Sequence, residues 1–128
     1  MDVYKTHGAF SWSELLTTNT AKASEFYGTL FGWKVEAMDM GAAGSYLVAK
    51  VGAQAVAGMM AAPAPGMPSM WGCYVTVDDV DATVANCKAL GGGVAMEPMV
   101  VPGVGRMACL RDPQGATLSV IKYDADMK

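Results

Sequence analysis

The sequence has a single histidine, His7, and three cysteines, Cys73, Cys87 and Cys109, among its 128 residues. The cysteines lie far apart and form no CxxC pair, which argues against a zinc site or a disulfide framework. We expect Cys73 and Cys109 to be buried thiols. Because His7 precedes the first predicted strand, no Ser-His-Asp or Cys-His arrangement is available in the core. Nucleophilic catalysis of those types is therefore not expected.

Charged residues are also scarce, at 16% of the chain against 52% hydrophobic residues, and the net charge is -3. Disordered chains have the opposite balance, and a nucleic-acid binder needs a basic face. No apolar run approaches the roughly 18 residues that cross a bilayer, and residues 1–7 lack the pattern of a secretory signal. We expect one soluble, cytoplasmic domain over residues 1–128, without a nucleic-acid or membrane partner.

The first half of the chain predicts one helix among four strands. Residues 9–17 alternate as a strand does, and Thr18 and Asn19 are typical of a helix N-cap. Residues 20–31 have apolar side chains at the i, i+3, i+4 spacing of an amphipathic helix, which Gly32 ends. Residues 33–40, 45–51 and 54–60 read as strands with turns at 41–44 and 52–53.

The second half repeats this order after a Pro-rich linker at residues 61–68. A strand at 70–77 leads to a helix that Asp78 or Asp79 caps and that runs to Leu90. Residues 94–100 predict a strand that Pro98 assigns to a sheet edge. Strands at 105–111 and 116–123 form a hairpin around the turn 112–115.

The chain therefore reads as two βαβββ modules, module 1 at about 9–61 and module 2 at about 69–123, in the α+β class. A constant shift of 60 residues without gaps aligns them: Asn19 falls on Asp79 and Gly32 on Gly92. Each module alone would expose one apolar sheet face, so we expect the modules to pair with each other or with another chain.

These motifs resemble those of the vicinal oxygen chelate superfamily, which includes glyoxalase I, bleomycin resistance proteins and dioxygenases. The residues that carry the resemblance are 18–19 with 25–33, 77–84, 90–92 and 111–115. The resemblance implies a half-barrel sheet with flanking helices and a concave cup. It also implies a metal ligand, usually His, Gln or Glu, on the first and last strand of each module in metal-dependent members.

Counted from the caps and the turn, the corresponding positions are Trp12, Met59, Gly72 and Ser119. Indole has no free lone pair in its ring plane and glycine has no side chain, whereas hard cations prefer carboxylates, imidazoles or carbonyls. We therefore predict no cofactor and no metal, and the lyase activity of glyoxalase I is not carried over. A displaced metal site that uses Glu14 remains an alternative.

Without a metal, the cup would be lined by apolar groups and a few polar ones. The predicted ligand-binding residues are Trp12, Glu14, Met59, Gly72, Tyr74, Arg106 and Ser119. A carboxylate among aromatic rings should have a raised pKa, so Glu14 is a candidate general base or cation-binding group. The alternative, which we favour slightly, is a structural carboxylate that is hydrogen-bonded across the sheet or exposed at the strand end. Arg106 either binds an anionic ligand group, pairs with a carboxylate, or is a solvated strand-end arginine.

Three functional hypotheses follow. The first is a metal-free protein that binds a small apolar or aromatic ligand. The second is a metal-independent enzyme (isomerase, hydrolase or hydroxylase-like) with Glu14 as base. The third is an accessory subunit with a vestigial cup. We expect a homodimer in each case, because the resemblance and the apolar composition both favour a covered sheet face.

Overall fold

The computed structural model describes residues 1–39 and 45–125. They form two compact units. The first unit is Trp12–Gly72, and the second unit joins Met1–Ser11 to the described residues from Cys73 onward. The first unit holds most of the predicted module 1 and the linker 61–68, whereas the first eleven residues associate with module 2. Met40 and the predicted turn 41–44 lie outside the described residues.

The elements follow the predicted βαβββ order twice. In chain order they are β1 (Phe10–Thr17), α1 (Thr20–Phe31), β2 (Lys34–Asp39), β3 (Ser45–Val51), β4 (Gln54–Ala61), β5 (Met70–Thr76), α2 (Val80–Ala89), β6 (Gly93–Val101), β7 (Gly105–Arg111) and β8 (Thr117–Tyr123). The predicted fold class, α+β with two βαβββ modules, is confirmed.

The sheet of the first unit has the strand order β2-β3-β4-β1. β1 runs parallel to β4, and the pairs β3–β4 and β2–β3 are antiparallel. The register between β3 and β4 shifts between Ala49 and Lys50, where a β-bulge interrupts the ladder.

Helix α1 begins and ends as its sequence predicts. The side chain of Asn19 accepts a hydrogen bond from the backbone N–H of Lys22, which satisfies one of the free donors at the helix start. Gly32 ends the helix in the left-handed conformation, with φ of 75°, and its N–H donates to the carbonyl of Gly28.

The core of the first unit lies between α1 and one face of this sheet. Its buried members are Leu15, Ala49, Ala57 and Met59, and Tyr27 and Trp33 are among the partly buried side chains packed against them. Strand side chains alternate between faces. Trp12, Glu14 and Leu16 therefore lie on the opposite face from Leu15.

The second unit has the strand order β5-β8-β7-β6, with β5 parallel to β8 and antiparallel pairs elsewhere. β6 lies at the edge of this order, as Pro98 predicts. The N-terminal residues pack on the unit: Gly8 N–H donates to the carbonyl of Thr76, and the Thr76 hydroxyl donates to the carbonyl of Val3. The rings of Tyr4 and Tyr123 pack edge-on, with 5.2 Å between their centroids.

Helix α2 packs on the face of the second sheet that is opposite to the side chains of Thr76 and Tyr123. Asp79, one of the two predicted caps, accepts from the N–H of Ala82. Val80 and Val84 of the helix are buried with Val77, Ala108 and Val120. The 112–115 turn forms as predicted: Asp112 accepts from the N–H groups of Gln114 and Ala116.

The predicted constant shift of 60 residues between the modules is wrong over the last strands. Glu14 pairs with Gly58 in the first unit, and the residue 60 positions later, Tyr74, pairs with Ser119 in the second. The counterpart of Ser119 is therefore Gly58, at a shift of 61, and not Met59. One extra residue is enough to move a strand position to the other face of the sheet.

The three cysteines are free, but Cys73 is exposed and Cys109 is only half-buried, so the predicted buried thiols are corrected. None of the helices in the described residues has the length and hydropathy required to cross a bilayer.

Candidate functional site

Three side chains of the first unit form a continuous hydrogen-bonded chain. The indole Nε1–H of Trp12 donates to the hydroxyl oxygen of Tyr46 at 2.9 Å. The Tyr46 hydroxyl in turn donates to Oε2 of Glu14 at 2.7 Å. All three side chains are half-buried. We call Trp12, Tyr46 and Glu14 the polar triad; it joins two predicted site residues through one that sequence reasoning missed.

Gly58 explains how Tyr46 reaches Glu14. Tyr46 lies on β3 and Glu14 on β1, with β4 between them. Glu14 pairs with Gly58 on β4, and a Cβ built at Gly58 would collide with the ring and hydroxyl of Tyr46. The phenol therefore lies across the central strand at a position that has no side chain, as strand glycines allow.

Among the described residues, apolar side chains extend the triad face along β1 and β4. Leu16 pairs with Met60 two residues further along the strands than the Glu14–Gly58 pair. Alternation therefore places both Leu16 and Met60 on the triad face. The salt bridge between Lys50 and Glu36, at 2.6 Å, lies on the same face at the other edge of the sheet. Glu36 is three strands from Glu14, about 14 Å away, and its hydrogen bond with Lys50 lowers its pKa.

Met59 was predicted to line the ligand face, and the structure corrects this. Its side chain is 0% exposed and belongs to the core under α1 with Leu15 and Ala57. The reason is the one-residue error in the module shift: Gly58 holds the position opposite Glu14, and Met59 points to the other face.

Arg106 was predicted as a possible anion clamp of the cup, and it lies on the wrong face. It precedes by two residues Ala108, which is buried against α2, so alternation places Arg106 on the helix side. Its Nε and Nη2 donate to the two carboxylate oxygens of Asp81 at 2.9 and 2.8 Å. This hydrogen bonding holds the pKa of Asp81 below its ordinary value and raises that of Arg106. Arg106 therefore ties β7 to the start of α2.

The remaining predicted residues are distributed over both units. Gly72 belongs to the first unit, where a Cβ built on it would lie 4.0 Å from the backbone oxygen of Glu14. Tyr74 and Ser119 belong to the second unit and pair directly across β5 and β8. Cys109 pairs with Ser119 from β7, so these three side chains share one face of the second sheet.

The residues at the positions that bind metal in metal-dependent relatives do not fit a divalent cation. Position 12 is an indole that already donates its N–H, and positions 58 and 72 are glycines. The fourth position, Ser119, has only a hydroxyl, and hard cations need carboxylate, imidazole or carbonyl donors. Within residues 1–39 and 45–125, no three His, Cys, Asp or Glu side chains are grouped to hold an ion.

A separate pocket of about 400 Å³ opens on the helix side of the first sheet. It is lined by Ser13, Tyr27, Phe31, Trp33, Val56, Ala57 and Trp71. Trp71 donates to the Tyr27 hydroxyl at 3.2 Å, and their ring centroids are 5.4 Å apart. Such spacings are those of packed aromatic pairs. This pocket is an opening beside a packed aromatic cluster, and it lies on the opposite face from Glu14.

Sequence reasoning missed Tyr46 and Gly58. One signal for Gly58 was present: an isolated glycine inside a strand pattern indicates a bulge or a close approach by another group. Tyr46 offered no comparable signal, because its role depends on which strand lies beside β3.

The comparisons with known proteins agree with this architecture. The family model described as Glyoxalase/Bleomycin resistance protein/Dioxygenase superfamily matches residues 9–120. CFP32 of Mycobacterium tuberculosis, provisionally named a glyoxylase, is 45% identical over 115 residues. That match covers 90% of this chain and 44% of CFP32. The anthracycline biosynthesis protein DnrV of Streptomyces peucetius is 35% identical over 127 residues, which covers 88% of this chain and 46% of DnrV. The chain thus spans less than half the length of these curated relatives.

Solved structures show the same fold at low sequence identity. The hypothetical protein BH1468 from Bacillus halodurans has a TM-score of 0.71 at 11% identity, covering 96% of this chain and 99% of that chain. A methylmalonyl-CoA epimerase from Streptomyces coelicolor has a TM-score of 0.67 at 16% identity, with the same coverage of both chains.

Proposed function

The chain belongs to the glyoxalase/bleomycin resistance protein/dioxygenase superfamily, and we propose that it is a metal-free protein that binds a small aromatic or apolar ligand. The observation that carries this proposal is the polar triad, in which Trp12, Tyr46 and Glu14 hold one another by hydrogen bonds of 2.9 and 2.7 Å. Two of the three groups are aromatic, and the third is an oriented carboxylate.

The surroundings of the triad support an apolar ligand. Leu16 and Met60 extend the same face, and methionine adapts its shape to varied apolar partners. Ligand sites in proteins combine such apolar walls with a few placed polar groups. The positions at which the resemblance implies metal ligands lack metal donors. We therefore expect the triad itself to recognise the ligand.

The names of the curated relatives support the aromatic class. DnrV is named for anthracycline biosynthesis, and its 35% identity to this chain extends over 127 residues. Anthracyclines are planar aromatic molecules, and a face that presents Trp12 and Tyr46 suits such a ring system. The chain spans only part of DnrV, so this argument concerns the ligand class and not a whole pathway enzyme.

Calorimetric titration of EDTA-treated protein with 2-naphthol tests the proposal. We expect saturable binding without added metal. Replacing Trp12 with Leu should weaken it about tenfold or more, because the variant loses ring surface and the donor to Tyr46. The matched control, Trp71→Leu, changes a half-exposed tryptophan on the opposite face and should leave the affinity nearly unchanged. A loss in Trp71→Leu alone would assign the ligand to the aromatic pocket, and a requirement for divalent metal would overturn the proposal.

The 2.7 Å bond from Tyr46 to Glu14 favours one second candidate, a metal-independent enzyme in which Glu14 acts as general base. In that case Glu14 would take a proton from a bound substrate while Tyr46 holds the carboxylate in place. Glu14→Gln separates the two functions: turnover lost with binding retained indicates the enzyme, whereas unchanged binding without turnover in either protein indicates the binder.

Homodimer formation and a cytoplasmic location complete the proposal. Phe26, Leu30 and Phe31 of α1 are each more than half exposed, and such apolar surface favours a covering partner. Three free cysteines, one of them exposed, suit a reducing compartment. Native mass spectrometry of gently purified protein would report metal, retained ligand and oligomeric state together.

A further inference from the structure

Four sulfur-bearing side chains lie on one face of the second sheet. Cys109 on β7 pairs directly with Met96 on β6. Two residues away on β7, Met107 pairs with Met99. Directly paired residues project to the same face of a sheet, with about 4.5 to 5.5 Å between their Cβ atoms. Ala108, between Met107 and Cys109, is buried against α2, so these side chains lie on the face away from that helix. We call Met96, Met99, Met107 and Cys109 the sulfur cluster.

A β-bulge brings both methionines of β6 to this face. Met96 and Met99 are three residues apart, an odd separation that would place their side chains on opposite faces of a regular strand. Their partners Cys109 and Met107 are only two residues apart, because the register shifts between Met96 and Met99. The extra residue on β6 restores a common face, and bulges often redirect a side chain in this way. The irregularity of β6 therefore completes the sulfur cluster.

The sulfur cluster is accessible, and its thiol has little other bonding. Met96 and Met99 are 38% and 46% exposed, whereas Met107 is 6% exposed. Cys109 is half-buried. Among the described residues, its Sγ donates only to the carbonyl oxygen of Leu110, at 4.0 Å, and a thiol is a weak donor. Methionine is unbranched and has three rotatable bonds, so the thioethers can close around an ion beside the thiol.

The chemistry of these donors selects a soft cation with a single charge. Thiolate and thioether sulfur bind Cu(I), whereas Mg²⁺ and Ca²⁺ prefer oxygen ligands. The thiol releases its proton to solvent when the metal binds, and the resulting thiolate balances one positive charge. A divalent ion would retain a net charge among uncharged sulfur ligands, and a charge without a partner is costly to remove from water.

From this arrangement we propose that the sulfur cluster is a Cu(I) site, in which the Cys109 thiolate and the three thioethers hold one ion. The polar triad contains none of these residues, and the aromatic-ligand binding proposed above needs no metal and does not depend on this site. All three cysteines of the chain are free thiols. Free thiols persist in reducing compartments, and reducing conditions also keep copper as Cu(I).

Titration of the full chain with Ag(I), which resembles Cu(I) in charge and softness and is stable in air, tests the site. The Cys73→Ser variant is used, because the exposed thiol of Cys73 would bind Ag(I) by itself. We expect native mass spectrometry to show one ion per chain. The methyl resonances of the three cluster methionines should shift, whereas that of Met70, which is as exposed as Met99, should not.

Competition with bicinchoninate under anaerobic conditions then measures the Cu(I) affinity of variants. Met99→Leu removes one sulfur at similar volume and should weaken binding about tenfold or more. The matched control, Met70→Leu, should leave the affinity unchanged. Cys109→Ser should abolish binding of the single ion, and Met99→Leu decides the question if that variant does not fold. Binding that survives both substitutions, or an ion bound without shifts of the cluster methionines, would overturn the proposal.

Discussion

Tyr46 occupies the space that a side chain at position 58 would fill. Its phenol lies across β4 at Gly58 and from there donates to Glu14 on β1. The resemblance to metal-dependent members of the superfamily implies a metal ligand at this last-strand position. In this chain the Tyr46 hydroxyl occupies that space, and it is already hydrogen-bonded to Trp12 and to Glu14.

Gly58→Ala should therefore displace Tyr46. Because a Cβ would collide with the Tyr46 ring, the phenol must move and both bonds of the triad are lost. We expect a loss of about 1 to 3 kcal/mol in the free energy of unfolding and a shift of the Trp12 indole N–H resonance. Gly93→Ala is the control, since a Cβ there meets nothing within 4 Å. An unchanged indole resonance in Gly58→Ala would contradict the packing described above.

Met59 and Met60 should respond differently to truncation. Met59 is 0% exposed within the core, so Met59→Ala is expected to cost about 2 to 5 kcal/mol of unfolding free energy. Met60 is only half-buried and shares the triad face, so Met60→Ala should cost clearly less and should weaken 2-naphthol binding instead. Chemical denaturation and calorimetry measure the two effects. The reverse order of the two stabilities would show that Met59 does not belong to the core.

The Asp81–Arg106 pair should make a pH-dependent contribution to stability. Hydrogen bonding to Arg106 holds the pKa of Asp81 below its ordinary value of 3.8 in the folded state. A lowered folded-state pKa means that the stabilisation is present above the unfolded-state pKa and is lost as the pH falls through the folded-state pKa. Asp81→Asn should thus lower Tm at neutral pH, and the difference from wild type should vanish in acid. A difference that persists in strong acid would exclude the ion pair as its source.

The contribution of Tyr123 to stability should depend on pH in the opposite direction. Burial raises its pKa above the ordinary 10.0, although a hydrogen bond with Ser11 partly offsets this effect. The preference for the neutral phenol stabilises the fold below the unfolded-state pKa and is lost as the pH rises through the folded-state pKa. Tyr123→Phe loses the 2.8 Å bond to Ser11, about 1 kcal/mol at neutral pH. In strong base, wild type should lose stability that the variant retains. Parallel Tm curves for the two proteins would contradict this.

His7 should be a single tautomer when neutral. Its Nδ1 accepts from the N–H of Asp78 at 3.0 Å, so the proton resides on Nε2. Nitrogen chemical shifts distinguish the two tautomers. Detection of the Nδ1–H tautomer at neutral pH would contradict the geometry.

The local features of the fold could be predicted because they depend on residues close in the chain. Asn19 and Asp79 cap their helices through N–H groups three residues away. Gly32 adopts the left-handed conformation that glycine favours. The candidate site could be predicted in part, since Trp12 and Glu14 share a face through the two-residue period of a single strand.

Tertiary structure decided everything that depends on neighbouring strands. The register places Gly58, and not Met59, opposite Glu14, and a one-residue difference inverts the face. Arg106 pairs with Asp81 because β7 packs against α2, a contact that no local pattern encodes. Tyr46 joins the site because β4 lies between its strand and β1 and has no side chain at the crossing point. The sequence by itself therefore determined the elements and the order of the modules. The pairing of distant strands, which depends on contacts between residues far apart in the chain, determined which side chains form the site.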